Sequence, residues 1–324
     1  MNSSADKRGT TSIVLVTYNS QDVIVQCLSA LLPRSSEIFE VIVVDNASHD
    51  ATVELIREDF PWVNLVVMHA NVGFALGVQR AIEEASGDIY CLLNPDAVAT
   101  SNAIALLSTQ LRISPDIGVL APLILQPQGR LKVVSAGHLP TCWRMFTHYS
   151  GLSRLGKISK RLEGHYLLPN QLQEAQDVEW VTGACLFIRS SVYHEAGGIS
   201  VKWFMYAEDI ELCWRVGKLG YRIRLDTSST VTHLLGSSTG TQTPIVRSDW
   251  ILNLFDFYIS DLAARKSTGR LWRWIVCAGL FSRGVIFRIW GAQRRSPEWK
   301  NEAKKFFSYA NSVARIPSAS RRRQ

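Results

Sequence analysis

Four short stretches of this 324-residue chain carry side chains that could do chemistry: Asp45-Asn46-Ala47-Ser48, Asn94-Pro95-Asp96, Glu208-Asp209 and His233. Pro95 cannot donate to a strand ladder, so the apolar run before it must stop there, leaving Asn94 and Asp96 at its carboxyl edge. A carboxylate in that place either caps the next helix or faces a ligand. Asp209 carries two readings as well. It can open the helix that bears Glu211, Leu212 and Arg215, or it can serve as a general base beside Glu208. Repulsion between adjacent carboxylates raises the pKa of one of them, which suits the second reading. His233 lies on a short β-rich run, where a histidine is either a hydrogen-bonded structural residue or a ligand.

These side chains need elements to hold them. Apolar β-rich runs at residues 12–16, 40–45, 65–68 and 89–93 end in polar or glycine residues: Thr17-Tyr18-Asn19-Ser20, Asp45 to Ser48, Asn71-Val72-Gly73 and Asn94 to Asp96. Helical patterns follow at 21–32, 51–59, 74–85 and 102–113. Alternating strands and helices predict a parallel, doubly wound α/β sheet with right-handed crossovers. Its polar rim, built four times over, is the size of a nucleotide site. No GxGxxG follows the first strand and no GxxxxGK[ST] occurs, which disfavours dinucleotide and P-loop readings.

Further along, residues 118–125 predict a strand with a turn at Gln128-Gly129. Residues 141–176 are weakly patterned and read as a mobile lid or a substrate-facing insertion. Residues 179–188 read as one strand with Gly183 inside it, where a second backbone or a ligand can approach closely. Residues 221–225 and 230–235 read as two short strands, followed by the loop Gly236 to Gly240.

Composition narrows the class. With 47% hydrophobic and 19% charged residues, the chain is globular, and 324 residues can bury a full core. The six cysteines are scattered through apolar runs without a CxxC or Cys/His cluster, so reduced buried thiols are expected and zinc is not. The net charge of +7 is uneven, the excess lying beyond Arg265. That points to an anionic partner for the C-terminal part, a membrane surface above nucleic acid. The polar first eleven residues lack a signal-peptide core, and a cytoplasmic location is therefore expected.

In order along the chain, Ile13-Val-Leu-Val-Thr-Tyr-Asn19, Val43-Val-Asp-Asn-Ala-Ser48, Asn71-Val-Gly-Phe-Ala75, Leu93-Asn-Pro-Asp96, Trp180-Val-Thr-Gly-Ala184, Tyr206-Ala-Glu-Asp-Ile-Glu-Leu-Cys-Trp-Arg215 and His233 resemble the inverting family 2 glycosyltransferases of GT-A fold, in particular their bacterial rhamnosyltransferase-like branch. Any one piece is weak; seven in order are specific. The resemblance covers roughly residues 12–238. It implies that Thr17, Tyr18 and Asn19 line a base and ribose pocket, that Asp45 bonds the donor's base or ribose, and that Asn71 and Gly73 run along the ribose-diphosphate. Asp96 would hold Mg2+ or Mn2+ against the diphosphate, with His233 as a further metal or diphosphate contact. Asp209 would be the catalytic base supported by Glu208, and Trp180 with Gly183 would shape the acceptor side. Many relatives carry two aspartates in the acidic motif; here the first is Asn94, an uncharged though hard ligand.

The expected domains are a flexible N-terminus (1–11), a GT-A catalytic domain (12–245), an amphipathic basic helical extension (246–317) and a basic tail (318–324) that includes Arg321 to Arg323. Within the catalytic domain, 12–126 would bind nucleotide-sugar and 127–245 would serve acceptor and catalysis. Trp250, Leu254, Phe257, Tyr258 and Asp261 cluster at helical spacing, and residues 271–288 interleave tryptophans with arginines. Such helices pack on the domain and also suit a membrane interface. Arg273, Arg283 and Arg288 argue against a transmembrane span at 272–290.

The expected activity is transfer of a sugar, L-rhamnose from dTDP-rhamnose, to a lipid-linked or cell-surface saccharide by an enzyme peripheral on the inner face of the cytoplasmic membrane. A UDP- or GDP-sugar donor keeps the chemistry and changes the pocket. A non-catalytic membrane-associated binding protein is the rival; it would not bring Asp45, Asp96, Asp209 and His233 to one cleft. Nucleic acid is not an expected partner, because the tryptophans sit at helical spacing and form no stacking groove.

Overall fold

The computed structural model describes residues 9–32, 39–127, 135–234, 248–294 and 296–316. The turn at Gln128-Gly129, the Gly236 to Gly240 loop, the basic tail and most of the polar N-terminus lie outside the described residues. The chain divides into two compact units: one runs to Gly137 and resumes over Pro169–Gln242, and the other comprises His138–Leu168 and the chain from Thr243 onward.

The first unit carries strands β1 (Thr11–Thr17), β2 (Phe39–Asp45), β3 (Asn64–Val67), β4 (Ile89–Leu93), β5 (Ala97–Val98) and β6 (Ile117–Leu125). Interleaved with them are helices α1 (Gln21–Ser29), α2 (Thr52–Asp59), α3 (Phe74–Glu84) and α4 (Ser101–Ile113). After β7 (Ala136–Gly137) the unit resumes with β8 (Gln176–Val178), β9 (Trp180–Val181), β10 (Cys185–Arg189), α6 (Ser190–Glu195), α7 (Glu208–Lys218) and β11 (Arg222–His233).

β1 lies between β2 and β4, parallel to both, so that Ile13 faces Val41 on one side and Cys91 on the other. Every residue of β1 and of β4 is buried, as expected when helices cover both faces of a sheet. Ile24 and Leu28 of α1, Ile56 of α2 and Leu107 and Leu111 of α4 share one apolar core with the strands. The sheet order is β3-β2-β1-β4-β10-β6-β11-β5, with β8 added on β11. β10 runs antiparallel between β4 and β6, while β11 runs parallel to β6. The sheet is therefore the expected doubly wound, mostly parallel one, with β10, β5 and β8 as its antiparallel members.

Two expected elements differ in a way that matters for the site. Residues 179–188 are not one strand. The chain leaves β9 at Val181, turns through Thr182-Gly183-Ala184 and enters the main sheet only at Cys185. Gly183 thus sits in a turn. The two strands expected over this stretch are one, β11, which pairs with β6 on both sides of an irregularity between Leu225 and Thr230.

The second unit is helical. α5 (Cys142–Ser150) forms within the stretch that lacked a sequence pattern, bounded by Thr141, whose hydroxyl accepts from the Arg144 amide, and by Gly151 at φ +84°. Short 3-10 turns follow at Leu152–Leu155 and Lys160–Leu162. Then come α8 (Asp249–Phe257), a π-helical turn at Tyr258–Leu262, and the long helices α9 (Lys266–Gln293) and α10 (Pro297–Ala314). Trp272, Val276 and Leu280 of α9 are buried, and Gly279 lets its backbone pass so close to Tyr149 of α5 that a Cβ there would overlap the ring. Trp274, Phe281, Ile286 and Trp290 are exposed. By length and composition the stretch Ser267–Gln293 is long and apolar enough to cross a membrane, so the arginines do not exclude a span as the sequence suggested.

Candidate active site

The carboxyl ends of β1, β2 and β4 form the rim. At the end of β1 the Thr17 hydroxyl donates to Asp45 Oδ1 at 2.8 Å, and the Ser48 amide donates to Asp45 Oδ2 at the same distance. The Ser48 hydroxyl reaches Asp45 Oδ1 at 2.5 Å. Thr17 and Asp45 are fully buried, so this carboxylate ties the β1 and β2 loops together and fixes their shape. Asn19 at φ +49° and Ala47 at φ +59° take the left-handed turns those loops require. Asn19 accepts the His49 amide at 2.8 Å, while Tyr18 is 37% exposed and opens outward.

The next link is Asn46, whose side chain donates to the Gly73 carbonyl at 3.1 Å. Asn71 Oδ1 accepts the Gly73 amide at 3.1 Å, and the Phe74 amide donates to the Phe204 carbonyl at 3.1 Å. Gly73 has φ +88°, and a Cβ there would stand 2.7 Å from the Phe204 carbonyl oxygen. Only glycine fits this crossing.

At the end of β4, β5 pairs antiparallel with the last residues of β11, setting His233 opposite Ala97. That pairing brings His233 Nε2 to 2.8 Å from Asp96 Oδ1 and to 3.4 Å from the Asn94 amide nitrogen. Asp96 and His233 are 3% and 7% exposed. Among the described residues no three His, Cys, Asp or Glu side chains gather into a closed metal cluster. Asp96, His233 and the Asn94 amide are an open set of hard oxygen and imidazole donors. This set fits a divalent cation that completes its shell with water and phosphate oxygens.

The backbone amide of Asn94 donates to the Ala184 carbonyl at 3.0 Å, and next to Ala184 the Gly183 amide donates to Asp209 Oδ2 at 2.9 Å. The 182–184 turn therefore joins the Asp96–His233 pair to the Glu208–Asp209 pair through direct hydrogen bonds. Asp209 Oδ1 further accepts the Ile210 amide at 2.8 Å. Tyr206 at φ +72° and Ala207 at φ +81° precede α7 in a left-handed conformation that is costly for residues with a Cβ. Glu208 is 5% exposed and its Oε2 finds no hydrogen-bond partner among the described residues. Burial, and after it the Asp209 charge, pushes the Glu208 carboxyl up to about 8, so a proton stays on it through neutral pH. Trp180 is 2% exposed on β9, opposite Gly137, with little surface open to a ligand.

Arg215 escaped notice as a site residue. It forks onto Glu211 with two 2.7 Å bonds and also donates to the carbonyls of Ala196 and Gly198, locking α7 to the segment after α6. Its four-residue spacing from Glu211 was legible; its reach to Ala196 was not. Phe204 was also missed; it lies in the loop before α7, and no local pattern marks it.

Residues 12–162 match the family model described as Glycosyl transferase family 2. A Mycobacterium tuberculosis protein named N-acetylglucosaminyl-diphospho-decaprenol L-rhamnosyltransferase is 30% identical over 241 residues, spanning 70% of this chain and 77% of its own length. A Haloferax volcanii protein named low-salt glycan biosynthesis hexosyltransferase is 26% identical over 208 residues, 63% of this chain and 60% of its own. Among solved structures, a mannosyltransferase from Pyrobaculum calidifontis in complex with GDP-Man and Mn2+ superposes with a TM-score of 0.57 at 15% identity, covering 94% of this chain and 85% of that one. The shared fold is GT-A.

Proposed function

We propose that this chain, which belongs to glycosyl transferase family 2 and is a glycosyltransferase, moves L-rhamnose from dTDP-rhamnose to a lipid-linked or cell-surface saccharide by a single inverting displacement. The observation that carries this reading is the Asp209 carboxylate, held by the Gly183 amide in the turn whose other side bonds Asn94 of the acidic motif.

In this reading Thr17, Tyr18 and Asn19 border the base and ribose, and Asp45 shapes that pocket through Thr17 and Ser48. Asn71 and Gly73 follow the ribose-diphosphate. Asp96, His233 and the Asn94 side chain would hold a divalent cation, Mg2+ or Mn2+. When bound, that ion supplies Lewis-acid stabilisation of charge growing on the departing diphosphate. Asp209 accepts the proton of the attacking hydroxyl. Glu208, kept protonated by burial, donates a hydrogen bond at the acceptor side, with Trp180 and Gly183 giving that side its shape. No covalent intermediate is required. The rhamnosyl donor and lipid acceptor are supported by the name of the mycobacterial relative. The basic, tryptophan-rich C-terminal helices suit an enzyme resting on the inner face of the cytoplasmic membrane, where such an acceptor would be found.

The test is a thermal-shift panel of dTDP-, UDP- and GDP-sugars with and without Mn2+ or Mg2+. A metal-dependent rise with dTDP-rhamnose alone is expected. A rise confined to a UDP- or GDP-sugar would move the donor and keep the chemistry, and none at all would remove the nucleotide-sugar site.

A further inference from the structure

In the second unit, four large apolar side chains lie close in sequence and stay in solvent: Trp143 at 50% exposure, Phe146 at 41%, Leu155 at 45% and Ile158 at 82%. They do not hang on a loose segment. Trp143 Nε1 donates to the Arg161 carbonyl at 2.7 Å, and Arg144 donates to the carbonyls of Lys160 and Glu163 at 2.8 Å each. Thr147 adds a bond to the Glu163 carbonyl at 2.9 Å. The face of α5 and the turns after it are thereby stapled into one body, and the Leu155 carbonyl accepts from the amides of both Ile158 and Ser159. A rigid turn that presents an isoleucine at its tip gains nothing from it in water.

The surrounding charge is of one sign. Between Trp143 and Leu162 the sequence has Arg144, Arg154, Lys157, Lys160 and Arg161 and no Asp or Glu. Apart from Arg144 these cations are exposed. Within Arg154-Leu155-Gly156-Lys157-Ile158-Ser159-Lys160, each apolar tip is flanked by cations. Such alternation needs a partner with an anionic layer directly above an apolar one. A polyanion such as nucleic acid would engage the cations and leave Ile158 wet.

We propose that this surface docks onto an anionic lipid bilayer, with Ile158 and Leu155 entering the headgroup boundary and the lysines and arginines engaging lipid phosphates. It extends the membrane association assigned above to the C-terminal helices and rests on that part of the reading, not on the sugar chemistry.

The experiment is sedimentation of the full chain with phosphatidylcholine vesicles and with vesicles containing phosphatidylglycerol. Binding is expected only to the second. Leu155→Ser with Ile158→Ser should weaken it about tenfold, and Lys157→Gln and Lys160→Gln roughly fivefold each. All these positions are exposed, so the melting temperature should hold and report an intact fold. Two results would overturn the proposal. The first is loop variants that bind like wild type while Trp274→Ser with Trp290→Ser loses binding, which leaves the membrane reading on the C-terminal helices alone. The second is wild type that binds heparin but no vesicle, which removes the membrane reading as well. Donor-induced thermal shifts on the same preparations keep either failure separate from a failure of the sugar-transfer reading.

Discussion

The rim holds two acidic centres built in opposite ways. Asp96 is fixed by strand register: β5 pairs with β11, and the pairing delivers His233 to 2.8 Å from its carboxylate. Glu208 and Asp209 are fixed by a helix start that follows two left-handed residues and is steadied by the Gly183 amide. The first centre is paired and settled without a ligand. The second keeps a buried carboxyl whose Oε2 has no hydrogen-bond partner among the described residues, beside a carboxylate held by backbone amides. A site that only had to grip a cation would need the first kind alone. Strain and an unsatisfied polar atom at the second are what proton transfer and acceptor recognition would demand.

The sharpest way to break this contrast is Asp209→Asn. The amide oxygen can still accept from Gly183, and the Ile210 amide loses its acceptor, so α7 keeps its start at a modest cost while the proton acceptor is lost. We expect kcat to fall about 10^2- to 10^4-fold with an unchanged circular dichroism spectrum. A milder loss would mean that the proton leaves by another route.

Asp96→Ala tests the opposite centre. Nucleotide-sugar at a hundredfold excess over Kd stabilises its target by roughly 3 kcal/mol. The metal-dependent part of that stabilisation should vanish in the variant, and the apo melting temperature should fall by the equivalent of about 1–3 kcal/mol because buried His233 loses the Asp96 carboxylate, both read by calorimetry.

Two glycines sharpen the comparison further. Gly73→Ala forces a Cβ against the Phe204 carbonyl at φ +88°, and a cost of about 1–3 kcal/mol is expected in denaturant titration. At Gly183 the added Cβ would meet Asp209 Cβ at an ordinary 3.5 Å. That variant should stay within about 0.5 kcal/mol of wild type. Equal costs at the two positions would contradict the geometry.

The smallest effect concerns Glu208. Its carboxyl titrates near 4.5 when unfolded and is pushed up to about 8 by burial and by Asp209. Between those values the folded state holds a proton that the unfolded chain has released. The group's contribution is full below the unfolded value and declines as pH rises toward the folded one. Glu208→Gln should flatten that decline in melting temperature across the window, and a parallel pH profile would show that Glu208 does not cause it.

How much of this was legible in the sequence follows the same divide. The polar rim could be read because each apolar run of the first half ends in a turn-forming residue, and periodicity fixed β1, β2 and β4 to within a residue or two. The turn at Gly183 could not, because Val181 and Ala184 continue the apolar pattern on both sides of it. The Asp96–His233 contact spans 137 positions, and no local signal specifies such a pairing; only resemblance to relatives supplied it. α5 was hidden by its own residues, Cys-Trp-Arg-Met-Phe-Thr-His-Tyr-Ser, which favour strand as much as helix. Its end signals, Thr141 and Gly151, were nevertheless in plain view.

The most direct test of sugar transfer at this rim is to incubate the full chain with labelled dTDP-rhamnose, UDP-sugar or GDP-sugar, a divalent cation and a bacterial lipid extract, and to follow label into the lipid fraction. Label from dTDP-rhamnose, dependent on the cation, is the predicted result. Absence of label from all three donors would contradict it.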